Sequence, residues 1–340
     1  MRIDTLRYDL GPENIAGEPP DVRLGRRDLG RMLVVDRRRR ALADDFIVDL
    51  PRRLNPGDVV VLNNSKRLPG ILHVRTERGA QLELRFTRLE GKRQGICRPY
   101  PAHLAKKGAR LRLGRHWLRM SHWPLQPHNL CRVRTSSDLK GLLRRFGLPI
   151  TSFFSERYWE LSSYNPVYAS VEGGVESPMA GVHFTAELIR ELEAKGIGVH
   201  FITLHPVGSW LPFLEDNIED HALESEEYAV SRMTAAALNA AKRAGAQILA
   251  VGSTVMRTLE SATDASGVVR SGRGIATLYI TPGYKFRTAT AYFTNFHNSR
   301  SSLMVLDAAF CKRSLLLRAY NEAKQRKYLF QEFGDAILYQ

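Results

Sequence analysis

Three histidines, His183, His205 and His297, each fall in or at the end of a short apolar segment. An imidazole titrates near neutrality, so such residues can take a proton from one group and return it to another. The first sits in Ser177-Pro-Met-Ala-Gly-Val-His-Phe-Thr185, a turn of small residues, a histidine and a hydroxyl. This turn leads into a helix predicted over 186–195, with Leu188, Ile189 and Leu192 on one face and Gly196 as the stop. Thr185 is the expected N-cap. Pro178 and Gly181 permit a close-approach backbone, and the N–H groups opening the helix favour an anionic or electron-rich neighbour. The competing reading is that Pro178 and Gly181 only shape a loop and that His183 is a hydrogen-bonded core histidine.

Three more segments have the same character: Thr203-Leu-His205, Val251-Gly-Ser-Thr-Val-Met-Arg-Thr-Leu-Glu260 and Phe293-Thr-Asn-Phe-His297. They add Thr254, Arg257 and Asn295 to the imidazoles. Strand-end residues of this kind point to one pocket at the tips of neighbouring strands, where loops on a rigid sheet carry chemistry. A further strand, 59–62, ends in Asn63-Asn-Ser-Lys66, whose polar groups either form part of a ligand site or simply terminate the strand.

The elements that must position these residues fall into two patterns. Residues 31–36 read as a buried strand, and Arg37 to Arg40 as a solvated turn. Between 70 and 135 the chain shows period-two runs at 71–75, 81–87, 95–98, 110–113, 117–120 and 130–134, the signature of a small closed barrel or sandwich. A short helix is expected over 138–146. Strands at 198–204, 247–251, 275–280 and 288–294 then alternate with helices at 186–195, 233–244, 302–310 and 315–328, with an acidic loop at 220–227. This is α/β patterning. The expected fold is therefore an α/β main, catalytic domain (1–69 and 146–340) with an inserted small six-stranded-type β-barrel domain (70–145).

The net charge of +15 is concentrated in that insertion: residues 71–145 hold 18 Lys and Arg against 4 Asp and Glu. Such a surplus fits either a polyanion-binding surface or a solvated basic face. RNA is favoured over a membrane, because no basic helix has a clean apolar face. There is no apolar run of membrane-spanning length, and a cytoplasmic protein is expected. The three cysteines, Cys97, Cys131 and Cys311, are widely spaced and lack a CxxC pair, so a buried apolar role is expected, with no disulfide framework and no metal. A phosphate-binding GxxxxGK[ST] loop, an HExxH helix and a GxSxG elbow are absent. Gly272-Arg-Gly274 precedes a strand rather than a helix, which argues against an ordinary methyltransferase or dehydrogenase.

Taken together, several blocks resemble the S-adenosylmethionine:tRNA ribosyltransferase-isomerase family of queuosine biosynthesis. They are Arg26-Arg-Asp-Leu-Gly-Arg31, Leu62-Asn63, Tyr164-Asn-Pro-Val-Tyr-Ala169, 177–185, Thr203-Leu-His205, 251–260, Pro282-Gly-Tyr284, Asn295-Phe-His297 and Gly334-Asp335. The likeness runs from Tyr8 to Ala336. It implies the two-domain fold already read from the pattern. It also implies that the ribosyl part of S-adenosylmethionine, the co-substrate, goes to the aminomethyl group of a 7-deazaguanine at the tRNA wobble position. Adenine and methionine then leave, and the product is epoxyqueuosine-tRNA. On this resemblance His183, His205, His297 and Arg257 are the expected catalytic residues, the histidines moving protons. Asn63, Ser65, Pro178, Gly181, Thr185, Thr254, Asn295 and Asp335 are the expected substrate-binding residues. tRNA would be held through the basic insertion, residues 70–145.

The sequence also departs from the family pattern. Asn64 and Ser65 replace an Asp-Thr pair, removing a carboxylate that could pair with an amine, and Met179 replaces a threonine. Pro206-Val-Gly-Ser-Trp210 is one residue shorter than the usual glycine-rich turn, Glu224 stands where histidine is common, and Asn298-Ser299 replaces Leu-Pro. These changes leave open a related chemistry on a small molecule or another nucleoside.

Overall fold

The structure, a computed structural model, describes residues 1–151, 157–208 and 211–340. Its seventeen strands are β1 (Arg31–Asp36), β2 (Ala41–Phe46), β3 (Val59–Asn63), β4 (Ser65–Arg67), β5 (Ile71–Thr76), β6 (Gln81–Glu90), β7 (Gln94–Tyr100), β8 (Arg110–Leu113), β9 (His116–Leu125), β10 (Leu130–Thr135), β11 (Val171–Gly174), β12 (Gly198–Leu204), β13 (Glu226–Val230), β14 (Ile248–Val251), β15 (Gly272–Ala276), β16 (Ala291–Asn295) and β17 (Ala336–Tyr339). The helices are α1 (Pro20–Leu24), α2 (Leu139–Phe146), α3 (Ala186–Ala194), α4 (Arg232–Arg243), α5 (Ser253–Ala262), α6 (Ser302–Phe310) and α7 (Arg313–Gln325).

Nine strands form one mixed sheet in the order β15-β13-β12-β3-β14-β16-β17-β1-β2. Its centre is parallel where β12, β3, β14 and β16 lie side by side. Alternation along β3 explains why the sheet needs cover on both faces. Val59 and Val61 enter one apolar core with α4 to α7, while Val60 and Leu62 enter a second with α3. Leu33 and Val35 of β1 join the first core, and Met32 and Val34 the second.

β5 to β10 close into a six-stranded antiparallel barrel in the order β10-β7-β6-β5-β8-β9. Inward residues such as Leu72, Leu84, Phe86, Leu118 and Val133 fill it. Cys97 and Cys131 pair across β7 and β10 with their sulfurs 3.4 Å apart, both buried and reduced, and Cys311 is likewise buried and free. Arg88 of the barrel pairs with Glu224 in the loop before β13 (3.6 Å), and Arg144 of α2 pairs with Glu172 of β11, which forms a separate two-stranded sheet with β4. Among the described residues no helix is long and apolar enough to cross a membrane.

The expected fold class is the one observed, and all six barrel strands fall where period-two patterning puts them. Three local expectations are corrected. The strand expected at 275–280 is Gly272–Ala276, because the Ala276 and Leu278 carbonyls accept hydrogen bonds from the Arg257 guanidinium. The acidic loop at 220–227 turns at Glu226 into β13, and an unanticipated strand, β17, lies inside the sheet between β16 and β1. In the Arg37 to Arg40 turn only the last three side chains are solvated. Arg37 stacks on Phe310 at 4.0 Å and donates to the Phe310 and Thr290 carbonyls.

Candidate active site

Two adjoining cavities open at the strand tips and share Pro206, Leu211, Ser253, Thr254, Ser301 and Leu303 in their walls. The first, of about 440 Å³, is built around the end of β16, with Thr294, Asn295 and His297 on its wall. The β14 to α5 junction forms another part. Gly252 has φ +88, a conformation that favours glycine, and its N–H donates to the Phe293 carbonyl at 2.8 Å. That turn brings Ser253 and Thr254, the first residues of α5, onto the same wall. Pro178 and Met179 come from the 177–185 turn, and Arg67 and Arg85 from the barrel side.

His297 faces this cavity with its ring held from behind. Its Nδ1 lies 3.0 Å from Asp307 Oδ2, and its Nε2 lies 3.2 Å from the Thr294 hydroxyl. Asp307, on α6, is fully buried, and the same oxygen accepts from Tyr320 Oη at 2.6 Å. Tyr320 Oη in turn accepts from the His297 N–H at 3.1 Å, and Tyr8 Oη donates to the His297 carbonyl. Both backbone polar groups and one ring nitrogen are thereby fixed. Nε2 is the ring nitrogen whose contact is a hydroxyl rather than a carboxylate.

His183 sits one layer behind. Its Nε2 is 3.1 Å from Asn295 Nδ2, and its Nδ1 is 3.4 Å from the Arg27 carbonyl. Burial pushes its pKa down to about 4, opposed by the Arg27 hydrogen bond and reinforced by the positive charges of Arg23 and Arg27. A neutral ring with its proton on Nδ1 satisfies both contacts: it donates to the carbonyl and accepts from the amide. Asn295 then presents Oδ1, which is buried and has no partner among the described residues. Gly181 supplies the close approach expected of it, since a Cβ there would lie 2.1 Å from Tyr168 Oη. Thr185 caps α3 as expected, accepting from Leu188 N at 3.1 Å and donating to Asp28 Oδ2 at 2.8 Å. It belongs to the frame rather than to the cavity wall.

The other expected site residues separate into walls and frame. Asn63 joins three elements, donating to the Leu204 carbonyl (2.8 Å) and Thr254 Oγ1 (3.0 Å) while accepting from the Ser65 and Leu204 N–H groups. It therefore sets the position of Thr254. Ser65 Oγ pairs with His205 Nδ1 at 2.7 Å, and Gly173 lies so close over that ring that a Cβ would be 2.2 Å from Nε2. His205 lines neither cavity; burial, with the nearby Lys140 charge, lowers its pKa. Asp335 staples the chain behind β1, accepting from Arg31 N (3.0 Å) and Leu329 N (2.8 Å), and burial raises its pKa.

The second cavity, of about 400 Å³, is acidic, with Glu215, Asp220, Glu224 and Glu226 on its wall. Phe213 and His221 stack there at 4.1 Å, and the barrel reaches in with Pro127 and His128. Arg257 is on this wall. Its guanidinium binds Glu226 Oε2 at 2.5 Å and the carbonyls of Glu224, Ala276 and Leu278 at 2.8 to 2.9 Å. Such a saturated group clamps β13 to the segment after β15. Of the positions that depart from the family pattern, Met179, Pro206 and Asn298 line the first cavity and Glu224 the second. Asn64 accepts from Thr203 Oγ1 at 2.6 Å and lines neither; Ser209 and Trp210 lie outside the described residues.

The family model for queuosine biosynthesis proteins matches residues 3–339. The chain belongs to the queuosine biosynthesis protein family. It is 38% identical over 347 residues to the S-adenosylmethionine:tRNA ribosyltransferase-isomerase of Moorella thermoacetica and 35% identical over 342 residues to that of Clostridium kluyveri, covering 99% of each chain. The crystal structure of the Thermotoga maritima S-adenosylmethionine tRNA ribosyltransferase is 28% identical, with a TM-score of 0.56, and the match covers 99% of this chain and 100% of that one. The protein is thus an enzyme of this family.

For this family member the site contains residues that pattern reading passed over. Asp307 is one, hidden in the apolar run of α6, and its only sequence signal is a charge where the helix has no solvent face. Glu226, partner of Arg257, and Arg67, beside the noted Lys66, are the others.

Proposed function

We propose that the protein transfers and isomerises the ribosyl moiety of S-adenosylmethionine onto a 7-aminomethyl-7-deazaguanine in tRNA. The products are epoxyqueuosine-tRNA, adenine and methionine. The observation that carries this reading, given the family, is the buried Asp307–His297 pair with His297 on the wall of a cavity of about 440 Å³. That volume suits a nucleoside with an amino-acid tail.

The sulfonium acidifies the neighbouring ribose carbon, and His297 Nε2 takes that proton while Asp307 compensates the charge. The imidazolium can then return a proton to the departing adenine. The acceptor amine forms the new C–N bond, methionine leaves with the sulfur electron pair as a thioether, and one proton is released to solvent overall. Asn295 Oδ1, aimed by His183, is an acceptor for a ribose hydroxyl. Thr254 at the junction of the two cavities is placed to contact both substrates. The barrel insertion, residues 70–145, supplies the tRNA-binding charge, and the enzyme works in the cytoplasm.

A second reading, a related sulfonium reaction on a small molecule or another nucleoside, is favoured by one observation. Met179, Pro206, Asn298 and Glu224, all departures from the family pattern, line the two cavities. One experiment separates the two. The enzyme is incubated with S-adenosylmethionine and tRNA carrying the aminomethyl base, and adenine and methionine are followed by mass spectrometry. Stoichiometric release that requires the modified tRNA is expected. Release with another acceptor alone selects the second reading, and no release with any acceptor removes both.

A further inference from the structure

Arg67 ends β4 with its side chain almost wholly enclosed, 2% exposed, yet its bonding is incomplete. A guanidinium has five N–H donors. Among the described residues Arg67 finds only two acceptors within hydrogen-bond reach, the Ile150 carbonyl and Ser177 Oγ at 3.5 Å, and its Nε has none. Glu332 Oε1 lies 4.0 Å from Nη1, close enough to balance charge but too far to accept a hydrogen bond. Tyr164 supports the group from its ring face at 4.5 Å. Leaving a buried cation short of acceptors is costly.

The surroundings narrow what would complete it. Arg67 lines the first cavity together with Glu176 and Glu332. The first turn of α5, a ten-residue helix, opens into the same space through Gly252, Ser253 and Thr254 and favours negative charge. A phosphate at this corner would gain from Arg67 but be repelled by the two carboxylates, while the other arginines of the wall, Arg85 and Arg300, are already paired with Glu83 and Asp4. A zwitterion gains from both, its carboxylate bidentate on the guanidinium and its ammonium on the acidic side. We propose that this corner is an α-amino-acid site, which holds the amino-acid end of S-adenosylmethionine with its carboxylate on Arg67 and its ammonium toward Glu332 and Glu176. The inference rests on the reading of S-adenosylmethionine as co-substrate. It places the sulfonium between this corner and His297.

The test compares two nucleoside thioethers by calorimetric titration of the full-length protein. S-adenosylhomocysteine carries the amino-acid tail; 5′-methylthioadenosine lacks it. The wild-type protein is expected to bind the former about tenfold or more tightly. Arg67→Lys and Glu332→Gln should shrink that ratio to within about threefold while leaving 5′-methylthioadenosine affinity unchanged. Equal wild-type affinity for the two compounds overturns the amino-acid site alone. So does a folded variant that loses affinity for both in equal measure. If the wild type binds neither, the co-substrate reading falls and the site falls with it. Because the wild-type ratio decides by itself, and Glu332 is partly exposed, a poorly folding Arg67 variant does not remove the test.

Discussion

Asp307 Oδ2 lies 3.0 Å from His297 Nδ1 and 2.6 Å from Tyr320 Oη, so one buried carboxylate oxygen fixes both the imidazole and the phenol that holds its backbone. Asn in place of Asp307 keeps the shape but offers an amide that no longer compensates an imidazolium or enforces the tautomer. Asp307→Asn is expected to lower kcat for adenine release by about 10²- to 10⁴-fold, with KM for S-adenosylmethionine changed by less than about threefold. Steady-state rates at varied co-substrate concentration check this. A loss carried by KM, or a loss of melting temperature with kcat intact, would mark Asp307 as packing only.

That carboxylate also shows where sequence reading stops. The barrel was legible because six short alternating runs each bury one face, and β3 and β14 because Val59 to Leu62 and Ile248 to Val251 are unbroken apolar runs. The 177–185 turn, the Thr185 cap and Gly181 were legible because caps and close approaches demand particular residue types. Division of labour among the histidines was not. His183, His205 and His297 look alike in sequence, and only long-range neighbours separate them: Asn295 for the first, Ser65 and Gly173 for the second, Asp307 for the third. Arg257 was expected among the catalytic residues, and the saturation of its guanidinium could not be read, because its four carbonyl and carboxylate partners lie 19 to 33 residues away in sequence, on β13, β15 and the segments beside them. β17 was missed because four apolar residues at a chain end carry no period.

His183 makes a pH prediction whose sign follows from burial. Its folded pKa is about 4 against an ordinary 6.5, so between those values the unfolded chain binds a proton that the folded one does not. Its contribution is full above pH 6.5 and is lost as pH falls toward 4. At pH 4.5 the loss is about 2 to 3 kcal/mol. Urea unfolding at pH 7 and pH 4.5 should show the wild type losing that much more stability than His183→Gln, which cannot titrate. Equal losses would mean that the ring is already protonated or solvated in the folded protein.

Arg257 and Glu226 form a buried pair, 2.5 Å apart, and burial pushes the Glu226 carboxyl up from its ordinary value. Removing only the arginine leaves an acid without its counter-charge. Arg257→Met is therefore expected to cost about 3 to 5 kcal/mol, and adding Glu226→Gln should restore part of it. Chemical denaturation of the two single variants and the double variant measures the coupling. An Arg257→Met protein of wild-type stability that no longer releases adenine would instead put the guanidinium in the reaction.

On the barrel, register makes a prediction about RNA. Arg119 of β9 is directly opposite Arg110 of β8 on one side and Arg134 of β10 on the other, so three exposed arginines form a row across three strands. Among the described residues none of the three has a carboxylate within 4 Å, although Arg132, two residues before Arg134, is paired with Glu90 at 2.7 Å. Like charges placed directly opposite destabilise a sheet, by about 0.2 to 1 kcal/mol per pair. Retaining them without counter-ions of the protein's own fits a surface completed by phosphates. Replacing Arg110, Arg119 and Arg134 with Ser should leave the melting temperature equal or higher. The slope of log affinity for tRNA against log salt should fall by about 0.7 to 0.9 for each arginine that contacts a phosphate, hence by about 2 to 3 for all three. Filter binding between 50 and 200 mM salt, both about the usual range for such titrations, measures the slope. An unchanged slope would send the RNA to another face of the barrel, with Arg85 and Arg88 beside the two cavities as the next charges to test.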